Sequence, residues 1–429
     1  YNRVLSTDEI KAHYDAAQIQ PPTVNPVASP TGTKIITLSG TKPVDTAIVV
    51  NGTTVSPLDS STTWQGTYTL NSGSNTLSVT AMDTKGYQSA AVTVTVVLDN
   101  TAPTISGSVP ANNAFVNTLI SSVTINFTDT YSAIDLAATT PGATVKNSTG
   151  QEIPGVWTTS GNSAVIFTPS NQLLQDTYAV TVYPTDVFGN KATSQIIFTY
   201  DATAPPSPTV NAVSSPTNQS SQTLTGTKSS DTATIKITSS TATIGAVTYP
   251  TSTTWSVAVT NLKAGDNAIT VTAKDIAGNT SSAATANILY DITAPSGPGV
   301  NPVTSPTKNA VINLSGTKEA DTSVWINNIK IQERDNLTTW QYTYTLQSGS
   351  NTLSVTSKDA AGNQSSATTI TVILDDKPPV IESSMPVNNS STGKVVDSVS
   401  INLMDTYSAV DLAGSTTGAT VKNASGLGI

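Results

Sequence analysis

Short apolar stretches that alternate with hydroxyl residues at a period of two dominate this chain. In Thr76-Leu77-Ser78-Val79-Thr80-Ala81 every second side chain is apolar and the intervening ones are Thr or Ser. Leu353 and Val355, Ile269 and Val271, and Val180 and Val182 sit in the same pattern. Successive side chains of a strand point to opposite faces, so the alternation predicts half-buried β-strands. Helical signal is confined to the first few residues, where Ser6-x-x-Glu9 reads as a capping box opening a short helix. Many short strands divided by turn residues predict an all-β chain of antiparallel β-sandwiches.

Internal repetition sets the domain plan. Val24-Asn25-Pro26-Val27 returns at 300–303, Thr62-Thr63-Trp64-Gln65 at 338–341, and Asp129-Thr130-Tyr131-Ser132-Ala133 at 405–409; each pair is shifted by 276 positions. Two unit types lie inside this period. The first carries Gly-Thr-Lys and a later tryptophan: Gly40-Thr41-Lys42 with Trp64, Gly226-Thr227-Lys228 with Trp255, and Gly316-Thr317-Lys318 with Trp340. The second opens with Pro110-Ala111-Asn112-Asn113 and again with Pro386-Val387-Asn388-Asn389. The expected plan is a tail over 1–20, first-type units at 21–100, 203–292 and 293–376, and second-type units at 101–202 and 377–429. The last unit stops at Ile429, the counterpart of Ile153, so the chain is expected to be a piece of a longer protein.

Two motifs punctuate the units. Asp-x-x-Gly-Asn occurs at 186–190, 275–279 and 359–363, with the degraded form Asp83-Thr84-Lys85-Gly86-Tyr87 in the first unit. Asp caps a turn by accepting from backbone N–H groups, and Gly supplies the positive φ. Asp-x-Thr-Ala-Pro follows at 99–103, 201–205 and 291–295, with Asp375-Asp376-Lys377-Pro378-Pro379 as a variant. Proline restricts itself and its predecessor, which predicts short, semi-rigid joints between units.

These motifs resemble those of bacterial Ig-like domains. Leu-Ser-Gly-Thr-Lys, the tryptophan, Asp-x-x-Gly-Asn and Asp-x-Thr-Ala-Pro look like one such group. Pro-x-Asn-Asn, Phe127-Thr128-Asp129, Phe167-Thr168-Pro169 and Tyr178-x-Val180-x-Val182 resemble another, found in surface-layer and adhesin-type proteins. Tyr1–Lys11 resembles the closing strand and short helix of a LamG-like jellyroll domain, with any amphipathic helix as the alternative. The resemblance implies tandem immunoglobulin-like antiparallel β-sandwiches in an extracellular or bacterial cell-surface protein. The expected role is a structural spacer or stalk supporting adhesion, with a carbohydrate- or protein-binding module, or an accessory region of a polysaccharide-degrading enzyme, as alternatives. The expected partners are neighbouring domains of the same polypeptide and cell-surface glycans or proteins.

Composition narrows the chemistry. Charged residues are 11% of the chain, against roughly 25% in ordinary soluble domains. The net charge is −9 without a Lys/Arg cluster, which argues against nucleic acid and anionic membrane partners. No apolar run approaches the length of a membrane span, and there is no cysteine for a disulfide or thiolate site. The single histidine, His13, has no second His or Cys to complete a nucleophile or metal set, and no catalytic residues or cofactor are expected. Lys42, Lys228 and Lys318 are read as guards on exposed β-edges. Trp64, Trp255 and Trp340 are read as core or edge rings, the alternative being an exposed row that stacks on sugars; Trp157 and Trp325 have no counterparts in other units. Calcium is the sharpest ligand considered, set against plain turn-capping. Asp186 with Asp201, Asp275 with Asp291 and Asp359 with Asp375 flank one strand each and are expected at opposite ends of a domain. Each would then need partners such as Asp45, Asp231 or Asp321.

At roughly 40 Å per sandwich, four complete units would extend on the order of 160 Å. Small-angle scattering is expected to report an elongated particle; a radius of gyration of about 22 Å, that of a single compact domain of this length, would refute the plan.

Overall fold

The computed structural model describes residues 4–10 and 18–428. Contacts group the chain into two compact units, Tyr1–Pro205 with Lys274–Thr280, and Pro206–Ala273 with Ser281–Ile429. The helical turn over 7–10 opens on the expected capping box: Glu9 N–H donates to Ser6 Oγ at 3.2 Å and Ser6 N–H to Glu9 Oε2 at 2.8 Å. His13 lies outside the described residues.

In the first unit, a two-stranded sheet of Ile35–Thr41 and Thr63–Thr69 shares a core with a four-stranded sheet ordered Thr53–Asp59, Thr46–Val50, Gly73–Met82 and Val92–Leu98. Leu77, Val79 and Ala81 are fully buried while Thr76 is exposed, as period-two alternation requires. Leu38 and Trp64 close the core from the facing sheet, and Ile48 and Val50 add to it from the neighbouring strand of the same sheet. A second sandwich pairs Gly155–Ser160, Ala164–Pro169, Val123–Thr128 and Thr104–Val109 in one sheet. Its other sheet is ordered Thr144–Lys146, Asp176–Val182, Ser194–Tyr200 and Ala114–Val116. The core between them holds Phe127, Phe167, Tyr178, Val180 and Phe198. The pairing of Ser194–Tyr200 with Ala114–Val116 is parallel, a departure from the antiparallel rule.

In the second unit, Val311–Thr317 with Thr339–Thr345 and the sheet Ile329–Asp335, Thr322–Ile326, Gly349–Lys358 and Thr368–Leu374 repeat the first sandwich. Leu314 pairs with Tyr342 as Leu38 pairs with Gly66, at the 276-residue shift. The remaining first-type sandwich differs in one element. Thr243–Ile244 and Thr248–Thr251 pair with Thr254–Thr260, on the sheet opposite to the one that the equivalent strands Thr53–Asp59 and Ile329–Asp335 join. Tyr249 in this segment accepts the Ile235 N–H at 2.8 Å, so the segment packs on its own domain.

The Gly-Thr-Lys motif has a physical cause. The segment leading into each first-type sandwich runs beside the first strand: Thr23 N–H donates to Thr41 O at 2.9 Å and Gly299 N–H to Thr317 O at 2.8 Å. A Cβ on Gly40, Gly226 or Gly316 would overlap the backbone carbonyl of Thr23, Thr209 or Gly299 and crowd the tryptophan ring. The tryptophans seal this contact. Trp64 and Trp340 donate their indole N–H to Thr23 O at 3.0 Å and Gly299 O at 2.9 Å, and Trp255 donates to Thr227 O at 3.3 Å. All three rings are buried, so the exposed sugar-stacking row does not exist.

The lysine reading is also corrected. Lys42 and Lys318 are buried, not on exposed edges. Lys42 Nζ donates to Thr46 O at 2.5 Å and Asp59 O at 3.2 Å and pairs with Asp59 Oδ1 at 2.9 Å. Lys318 repeats this with Thr322 O, Asp335 O and Asp335 Oδ1. The ammonium group has three donors and ties two strand ends together, which an edge guard would not do. These bonds hold the Asp59 and Asp335 carboxyls below the ordinary carboxylate range, the lysine bond being the largest cause in each.

Replacing Lys318 with Met keeps the stem and removes the donors, leaving the Thr322 and Asp335 carbonyls short of partners. The expected loss is about 1–3 kcal/mol in the unfolding of that sandwich by urea. A carboxyl whose folded pKa is depressed stabilises above its unfolded value, and that contribution is lost as pH falls through the folded one. Acid melts of wild type should therefore weaken below about pH 4, and Lys318→Met should flatten that dependence. A variant as stable and as acid-sensitive as wild type would reject the assignment.

Candidate joint and carboxylate site

Each Asp-x-Thr-Ala-Pro motif folds on itself. Asp99 Oδ1 accepts from Thr101 N–H at 3.2 Å, Asp201 Oδ1 from Thr203 N–H at 2.9 Å and Asp291 Oδ1 from Thr293 N–H at 2.9 Å. A short carboxylate that accepts from the backbone two residues on is an Asx turn, which explains the fixed spacing of Asp.

Each Asp-x-x-Gly-Asn motif is a tight hairpin with two functions. Asp186, Asp275 and Asp359 accept through Oδ1 from the backbone N–H of Asn190, Asn279 and Asn363, each at 2.8 Å. Gly189, Gly278 and Gly362 take φ of 85°, 100° and 93°, which a side chain would oppose. The asparagine amide then reaches outward. Asn190 Nδ2 donates to the Asp99 carbonyl at 3.2 Å, Asn279 Nδ2 to the Asp201 carbonyl at 2.8 Å, and Asn363 Nδ2 to the Asp291 carbonyl at 2.8 Å. The same amide also donates to the second carboxylate oxygen of its own turn aspartate, at 2.6 to 2.9 Å. The two motifs are therefore two halves of one latch. In the degraded copy the turn survives, with Tyr87 N–H donating to Asp83 Oδ1 at 2.9 Å, while Tyr87 replaces the amide and is exposed.

As expected, Asp186 and Asp201, which flank one strand, do not meet each other. Asp186 meets Asp99 of the preceding joint, while Asp201 meets the next turn through Asn279. The aspartates on either side of one strand thus serve successive joints, as their spacing required. Asp99, Asp129 and Asp186 each present a carboxylate oxygen within 4.8 Å of the others. Asp99 and Asp186 are buried and Asp129 is partly buried. Asp129 was not among the expected partners; its presence in the repeated Asp-Thr-Tyr-Ser-Ala motif was the signal. Of the partners proposed from sequence, Asp321 lines one cleft with Asp291 and Asp359, but its carboxylate is bound to Arg334 at 2.8 Å. Neither Asp45 nor Asp231 belongs to the carboxylate trio.

Two rings complete the joint around Asp99. Tyr131 lies against Gly73, where an added Cβ would sit 3.0 Å from the hydroxyl, and Tyr407 lies against Gly349 in the same way at 2.9 Å. Phe188 packs on Gly32, leaving no room for a side chain there.

Residues 99–201 match the family model of a bacterial Ig-like domain, and residues 336–423 match that of a bacterial Ig-like domain of group 3. No curated protein matches the chain. Three solved structures illustrate the likenesses. The tetra-tandem repeat in the extending region of a large adhesion protein is 20% identical, over 80% of this chain and 97% of that one, with a TM-score of 0.25. The chicken CNTN1 FN1–FN3 domains are 13% identical over 64% and 99%, with a TM-score of 0.32. An endo-fucoidan hydrolase of glycoside hydrolase family 107 is 12% identical over 64% and 44%, with a TM-score of 0.23. Scores this low carry no argument about activity. Ig-like domain families are generally non-catalytic, and among the described residues no helix is long and apolar enough to cross a membrane. The chain carries two bacterial Ig-like domains within a tandem of Ig-like β-sandwiches.

Proposed function

We propose that the chain is a spacer of an extracellular bacterial surface or secreted protein, holding another domain away from its anchor and so supporting adhesion. In this reading it comprises four complete sandwiches, at 21–100, 101–202, 203–292 and 293–376, and part of a fifth at 377–429. The tail before residue 21 belongs to a LamG-like domain, a reading that the capping box at Ser6 and Glu9 supports. The recurrent latch carries the proposal. A spacer needs every joint to resist bending, and the same amide-to-carbonyl bond recurs at three joints. Its neighbouring domains are then its principal partners.

A binding module is the second reading, favoured by the sheet switch at 243–251, which sets one sandwich apart from its siblings. Cell-surface glycans or proteins would be its ligands there. An accessory role beside a polysaccharide-degrading domain is compatible with either.

Two measurements separate these readings. Asn363→Ala removes the donor to the Asp291 carbonyl but keeps the Asp359 turn. Limited proteolysis within 291–295 should then accelerate several-fold, in keeping with the roughly 1 kcal/mol of a hydrogen bond, while thermal melts move little. An unchanged cleavage rate would remove the latch from the argument. On a glycan array the intact chain should give no saturable signal; a ligand whose binding is abolished by Tyr249→Ala would favour the binding module.

A further inference from the structure

We propose that Asp99, Asp129 and Asp186 hold a calcium ion, and that calcium stiffens the joints leading from a first-type sandwich into a second-type one and not the others. Oxygens on opposite sides of a calcium ion lie about 4.8 Å apart, given ligand distances near 2.4 Å. Three carboxylate oxygens within that span of one another fit around a single ion. Among the described residues this is the one such trio.

Burial of Asp99 sets this cluster apart from an ordinary group of exposed acids. Each aspartate commits one oxygen to its own turn: Asp99 Oδ1 to Thr101, Asp129 Oδ1 to Tyr131 and Ser132, Asp186 Oδ1 to Phe188 and Asn190. Asp186 Oδ2 is further bonded by Asn190 Nδ2 and Ser132 Oγ. Asp99 is fully buried, and its Oδ2 has no hydrogen-bond partner. A buried charged acceptor without a donor is rare and costly. Among the described residues no lysine or arginine pairs with any of the three. Three like charges at this separation repel unless a cation lies among them.

Recurrence supplies an internal control. Asp375 and Asp405 are the counterparts of Asp99 and Asp129 at the 276-residue shift, and Asp375 Oδ1 is again buried without a partner. Asp201 and Asp291 head the other joints, and neither has such an orphaned oxygen. At Asp291 the additional acid, Asp321, already has Arg334. The orphan therefore follows the type of joint, as a ligand would require and as turn-capping, common to all joints, would not. Calcium suits the site better than magnesium, because it accepts irregular arrangements of six to eight oxygens, with water completing the shell.

Titration of the chelator-stripped chain with calcium chloride by calorimetry tests this. The expected result is one site per chain, at Asp99, Asp129 and Asp186, because the joint at Asp375 and Asp405 has no counterpart of Asp186 among the described residues, with a dissociation constant of about 10⁻⁵ to 10⁻³ M. Proteolysis within 99–103 should slow at least tenfold in calcium relative to chelator, and less in equal magnesium. Asp129→Asn keeps the turn acceptor at a partly exposed position and should abolish both effects; Asp201→Asn should preserve both. Asp99→Asn, checked for folding by circular dichroism, should behave as Asp129→Asn does. Absence of calcium heat in the wild type, or binding that survives Asp129→Asn, overturns the proposal.

Discussion

A side-chain amide offers donors and an acceptor on one rigid plane, and the joints of this chain rest on that property. The asparagine ending each Asp-x-x-Gly-Asn turn sends its NH₂ both to its own turn aspartate and to the carbonyl of the aspartate that opens the joint. An aspartate at that position could not donate, and a serine could not span both acceptors. The turn aspartate has to be there to orient the amide, and the glycine has to be there to close the hairpin. The joint aspartate has to accept from its own threonine so that its carbonyl is presented at a fixed angle. Four residue identities separated by some eighty positions are thus coupled by one nitrogen.

Inside each first-type sandwich a comparable economy operates. With few aromatic side chains available, one tryptophan per domain supplies the largest buried surface, and its indole N–H needs a carbonyl once it is dry. The entering segment supplies that carbonyl only by lying closer to the first strand than a Cβ would allow, hence glycine. The lysine two residues later is drawn inward by carbonyls at strand ends. Its buried ammonium is tolerated because every donor is used and one partner is an acid at the rim.

Much of this was legible in the sequence. Period-two alternation identified the strands because side-chain direction is fixed by strand geometry, and the 276-residue repeat fixed equivalence between distant segments. The motifs Asp-x-x-Gly-Asn and Asp-x-Thr-Ala-Pro were readable as turns because their hydrogen bonds are local. Their mutual contact was not, since nothing in a linear pattern states which carbonyl an amide will reach eighty residues away. Lys42 and Lys318 were misread for a related reason: a lysine at a strand end is ordinarily solvated, and only the convergence of Thr46 and Asp59, or Thr322 and Asp335, gives it an interior destination. The strand that changes sheets at 243–251 was not legible, because the direction of the change depends on which sheet edge the longer loop can reach.

The first unit provides the counterexample that gives the latch its meaning. Asp83-Thr84-Lys85-Gly86-Tyr87 keeps every element needed for the turn itself: the aspartate bonds to the backbone, the glycine at φ 86°, and the register of the hairpin. What it lacks is the amide, and no Asp-x-Thr-Ala-Pro motif stands before it in this chain. If the asparagine were needed to fold the hairpin, its loss should have taken the turn with it. The turn persists without it, so the asparagine answers to the joint and not to the folding of the hairpin.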